Sequence, residues 1–108
     1  MNTKTEQIWD TVWQTGASGN VITRLRLTYN RMLSRLILPH VPKTGRTLEL
    51  GCGTAQLSLM IAPFIQEAVG LDISSEGLAI AQREKKKHGV PNATFIKGNV
   101  EDVPFSNE

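Results

Sequence analysis

Cysteine is nearly absent: Cys52 is the only one in 108 residues. No intrachain disulfide can form, and a reducing, cytoplasmic setting is the expectation. Long apolar runs are missing as well. Residues 1–6 are polar rather than leader-like, and no apolar run approaches the roughly 20 residues that span a bilayer, so no membrane partner is expected. The net charge is only +2, which by itself gives no reason to expect a nucleic-acid partner. There is no internal repeat, no low-complexity tract and no expected metal site. What remains is ordinary: 40% hydrophobic and 20% charged residues, enough for one small globular domain and against disorder.

The charge is unevenly placed. Residues 1–45 carry six Lys/Arg against two Asp/Glu, while residues 46–108 carry six against eight. The basic surplus sits on a helix predicted from an N-cap at Asn20 to about Leu38, through Arg24, Arg26, Arg31 and Arg35. A solvated helix face is the plainer explanation, and steering of an anionic substrate the sharper one. Ile22, Leu25, Tyr29, Met32, Leu33, Leu36 and Ile37 recur at helical spacing and are expected to face inward. Pro39 and Pro42 stop the helix. Ahead of it, Trp9 and Trp13 are four residues apart, followed by a Gly/Ser break at residues 16–20. They suggest a lid, or simple packing on the long helix.

From Arg46 the pattern alternates. Thr47–Leu50 reads as a strand, Gln56–Phe64 as a helix and Ala68–Asp72 as a second strand. A helix capped at Ser74 or Ser75 then runs to His88, with Leu78, Ile80 and Ala81 inward, and Gly89 and Pro91 end it. Thr94–Lys97 is a third strand. Alternating strands and helices with short loops imply an α/β fold, a parallel Rossmann-like sheet with right-handed crossovers.

Three segments carry chemistry. Gly51-Cys52-Gly53 between strand and helix lets the backbone turn sharply and approach a ligand, and Glu49 stands where ligands of open α/β sheets bind. A buried acid there needs a partner, which a ligand ammonium or a local basic group would supply. Asp72 ends the second strand 21 residues after Gly51. It suits either the two hydroxyls of a ribose or the N-cap of the next helix, and the glycine turn favours the ribose. Gly98-Asn99-Val100 follows the third strand, where a short polar side chain and an adjacent N–H can read a purine edge. For Glu101 and Asp102 a solvated loop is the better account.

In order and spacing, these segments resemble the motifs of class I S-adenosylmethionine-dependent methyltransferases, over roughly residues 45–105. The resemblance implies an incomplete cofactor-binding half at residues 45–108, with the sheet continuing beyond its third strand, and an N-terminal helical cover or lid at residues 1–44. It implies S-adenosylmethionine as cofactor. Glu49, Gly51, Cys52 and Gly53 would hold the methionine part, Asp72 the ribose, Ile73 the adenine face, and Asn99 and Val100 its edge. A small-molecule methyl acceptor is expected, and no catalytic residue can be named. Two positions depart from the pattern: Ala55 replaces the usual third glycine and Asn99 the usual Asp. A nicotinamide-dinucleotide domain would want glycine where Gln56 stands, and has no use for Glu49. A non-catalytic interaction fragment retaining the fold is the reading from another class. Without a fourth strand the first would leave an open apolar edge, through which the chain could form a homodimer and without whose completion it would be inactive alone.

Overall fold

A computed structural model of the chain describes Lys4, residues 6–8 and residues 21–102. The tryptophan pair, the break at residues 16–20, the Ile22 side chain and residues 103–108 lie outside the described residues.

Three strands form one parallel sheet in the order β1 (Arg46–Leu50), β2 (Glu67–Asp72), β3 (Ala93–Lys97). Register is fixed at both ends of β1, with Arg46 opposite Glu67 and Leu50 opposite Leu71. At the foot of the sheet one carboxylate ties all three strands together. Glu67 accepts from Arg46 Nε at 2.8 Å and from Thr94 Oγ1 at 3.0 Å. These bonds hold the Glu67 carboxyl below the ordinary range, Arg46 first.

The helices are α1 (Val21–Ile37), α2 (Gln56–Ile61, continued by a 3₁₀ turn to Phe64) and α3 (Ser75–His88). Pro63, which the sequence placed near the end of one helix, sits in that 3₁₀ turn instead. α3 follows its signals closely. Ser74 caps it by accepting from the Gly77 N–H at 3.1 Å, and Gly89 ends it at φ 61° with Lys85, Lys86, Lys87 and His88 in the last turn.

α1 does not follow its apolar stripe. Leu33 and Ile37 are part-buried as expected, whereas Leu25, Tyr29, Met32 and Leu36 are all more than half exposed. Polar contacts set the packed face instead. Asn30 Nδ2 donates to Gln56 Oε1 at 2.7 Å, and the buried Ser34 hydroxyl is satisfied by the Arg31 carbonyl at 2.8 Å. Arg24, Arg31 and Arg35 are exposed, in keeping with a solvated basic face. No described helix is long and apolar enough to cross a membrane.

Two apolar clusters support the sheet. Ile61, Ala62, Ile65, Ala68, Val90 and Ala93 fill the lower one. Cys52, Ala55, Leu78 and Ala81 form the upper one, and Phe95 packs on both. Gly70, mid-β2, has no room for a side chain: a Cβ there would stand 2.7 Å from Cys52 Sγ. Among the described strands β1 lies at the sheet edge, with Leu48 and Leu50 about half exposed.

Candidate functional site

The site is assembled where the sequence placed it, at the carboxyl ends of the strands. β1 runs into a turn in which Gly51 and Gly53 have φ of 67° and 57°, and Ala55 follows at 58°. Left-handed backbone is free for glycine but costs about 1 kcal/mol or more for alanine. Ala55 is fully buried in the upper cluster, so its methyl offsets that strain. The turn is closed by internal bonds: the Cys52 N–H donates to the Leu71 carbonyl at 3.0 Å and the Ala55 N–H to the Cys52 carbonyl at 2.8 Å. Nothing stands within 4 Å of where a Cβ on Gly51 would be, so the top of the turn is open.

Two carboxylates flank this turn. Asp72 bridges both sides of the cleft, Oδ2 accepting from the Gly53 N–H at 2.7 Å and Oδ1 from the Ser74 N–H at 2.8 Å. It is therefore not the helix cap, which is Ser74. Glu49 lies part-buried at the end of β1 and accepts from the Ser58 hydroxyl at 2.6 Å. Ser58 stands in the first turn of α2, where Ala55 in the cap position has no side-chain oxygen to offer. Burial pushes the Glu49 carboxyl above the ordinary range. Ser58's hydroxyl and N–H pull it back, and Asp72 adds to the rise. An ionised carboxylate has about four acceptor positions, so both acids retain capacity for ligand donors: Asp72 for hydroxyls, Glu49 for a cation.

The β3 side is looser. Asn99 Oδ1 accepts from the Glu101 N–H at 3.0 Å, a local bond, and Val100 is about half exposed. Ile73 is part-buried just beyond Asp72.

A family model described as a methyltransferase domain matches residues 42–108 of this chain, the stretch that contains all of these groups. The chain belongs to the class I methyltransferase family. Its relatives include the uncharacterised methyltransferase YcgJ of Bacillus subtilis, 32% identical over 58% of this chain and 25% of that protein. The solved structure of YcgJ overlays 69% of this chain and 33% of its own at a TM-score of 0.64 and 27% identity. An uncharacterised RNA methyltransferase of Leptospira interrogans is 34% identical over 66% of this chain and 18% of its own length. A demethylmenaquinone methyltransferase of Geobacillus kaustophilus is 33% identical over 61% and 30%. The chain thus spans less than a third of the length of each of these three relatives.

In this methyltransferase domain some expected site residues meet and others stand apart. Gly53 and Asp72 are joined by a hydrogen bond and Glu49 stands near enough to feel the Asp72 charge, while Asn99 and Val100 stand on their own short segment. Cys52 turns its side chain beneath the site. It is buried, and its thiol is pushed up to about 12, first by burial and then by Glu49 and Asp72. Two residues escaped the sequence reading. Ser58 was signalled only by its place in the first turn of α2, seven residues after Gly51. Glu6 had no signal at all. It is 3% exposed, 2.7 Å from Lys97 Nζ, and accepts from Ser75 Oγ at 3.2 Å, which brings the N-terminal segment against the end of β3 and the start of α3.

Proposed function

We propose that this domain holds S-adenosylmethionine for methyl transfer to a small-molecule acceptor. One observation carries the reading: the Asp72 carboxylate is bonded to the Gly53 N–H at 2.7 Å, which joins the glycine turn and the second-strand acid into one cradle, with Glu49 on its far side. The residues fit the cofactor. Glu49 would take the amino-acid ammonium, Asp72 the ribose hydroxyls, and the open top of Gly51 would let the ligand lie against the backbone. Ile73, Asn99 and Val100 would line the adenine end. When bound, S-adenosylmethionine supplies an electrophilic methyl group on a sulfonium. The chain's own part is to fix that group's position, since alignment with the acceptor lone pair supplies much of the rate.

The acceptor class rests on charge. The relatives named above include an RNA methyltransferase and a demethylmenaquinone methyltransferase. Here the charged site residues, Glu49 and Asp72, are acidic, Lys97 beside them is paired with Glu6, and four of the six arginines lie on α1 instead. That arrangement favours a small acceptor over a phosphate-rich one. The contact of Glu6 with Lys97 and Ser75 supports the N-terminal segment as a cover over the same end of the sheet.

Calorimetry on the protein with S-adenosylhomocysteine and with a nicotinamide dinucleotide tests the cofactor. The expected result is binding of the first alone. Binding of the dinucleotide alone would overturn the reading.

A further inference from the structure

We infer that Ser58 is a positioning residue for Glu49, its hydroxyl setting the direction of the carboxylate that receives the cofactor's ammonium group. The inference rests on the cofactor reading above and adds a residue to it.

The geometry is specific. Ser58 is 2% exposed and lies on the buried side of α2, so its hydroxyl cannot turn to water. It donates to Glu49 Oε1 at 2.6 Å, the short end of the range for a hydroxyl on an ionised oxygen. A short bond from a hydroxyl that is itself held in the packed side of α2 restricts the rotation of the carboxyl group at the end of β1. A carboxylate left to rotate would meet a ligand cation in several orientations, only some of them productive.

The same bond acts on ionisation. Among the described residues the charge that acts on Glu49 is that of Asp72 on β2, which disfavours a carboxylate, while the neighbouring Cys52 thiol is protonated and neutral there. α2 carries no titratable side chain, and α1 reaches its start through the neutral Asn30. Among the described residues Ser58 is therefore the side chain that opposes the rise imposed on Glu49 by burial and by Asp72.

The test uses Ser58→Ala and, to restore the hydroxyl, Ser58→Thr, with melting temperatures to verify folding. Glu49 titration is followed by carbon NMR in the ligand-free protein, with Glu49→Gln assigning the signal. S-adenosylhomocysteine binding is measured by calorimetry across pH. In Ser58→Ala the Glu49 midpoint moves up, and the acid-side loss of binding moves with it. Affinity falls about tenfold on that acid limb, the scale of one hydrogen bond to a charged group, and by less above it. Ser58→Thr restores both. An unmoved midpoint, or an affinity lowered equally at every pH, overturns the inference and leaves Ser58 a packing residue. Failure of the unmodified protein to bind S-adenosylhomocysteine is a different result: it overturns the cofactor reading and the ligand half of this inference together.

Discussion

The two halves of the site are built in different ways. On the β1–β2 side both acids are held by a partner distant in sequence: Asp72 by Gly53 19 residues away as well as by the neighbouring Ser74, and Glu49 by Ser58 across the turn. On the β3 side Asn99 is held by Glu101, two residues on. The first half cannot exist without the fold, and the fold's upper cluster lies directly beneath it. The second is a short segment that keeps its own shape. Removing a bonded acceptor from the first half should therefore damage stability and binding together, and mutations in the second should touch binding alone.

The largest effect is expected at Asp72. Asp72→Ala leaves the Gly53 and Ser74 N–H groups without their acceptor, at a cost of about 2–4 kcal/mol for two bonds to a charged group. Urea unfolding measures it, and S-adenosylhomocysteine affinity should fall in parallel. A full-strength fold with weakened binding would mean that Asp72 serves only the ligand, and the contrast between the halves would fail. Next comes Gly70→Ala, which forces a methyl against Cys52 and should cost about 1–3 kcal/mol through overpacking. Adding Cys52→Ala should recover part of the loss, because the nearest clash is with Sγ and the next, at 3.0 Å, with Cβ.

Glu49→Gln sharpens the comparison by separating its two consequences. Burial raises the Glu49 pKa. Over the window between its unfolded and folded values the native state holds a proton that the unfolded chain has released, so stability falls as pH rises through that window. Gln has no such loss. Its melting temperature should exceed that of the unmodified protein by a few degrees above the window and match it below, while S-adenosylhomocysteine binding disappears. A melting temperature lowered at every pH would show that the carboxylate stabilises the turn instead. The smallest effect belongs to Asn99→Ala. Losing one exposed local bond should change stability by less than about 1 kcal/mol, while the adenine contact weakens. A larger loss in urea unfolding would place Asn99 within the framework rather than at its rim.

Much of this was legible beforehand because it is written locally. The caps and stops of α3, the three strands and the turn at Gly51 each depend on a few neighbouring residues, and the structure places them within a residue or two of expectation. The direction of α1 was not legible. Its most continuous apolar stripe, Leu25 to Leu36, faces outward because Asn30, bonded to Gln56, and Ile37, packed on the lower cluster, settle which side meets α2, and those contacts are tertiary. In the site, Glu49 and Asp72 were found by spacing from glycine. Ser58 and Glu6 were not, since a serine in a helix and a glutamate near the amino terminus acquire meaning only from what the fold brings beside them.

A single thiol beneath the glycine turn gives the protein a built-in clock. While the turn is closed, Cys52 is buried and almost entirely protonated, and a thiol reagent has nothing to attack. Labelling must wait for the turn to lift, so in mild reagent its rate counts local openings rather than global unfolding. A ligand resting on Gly51 should slow that clock in proportion to its occupancy. How often the turn breathes could then be read at a native residue, with no dye and no added mutation.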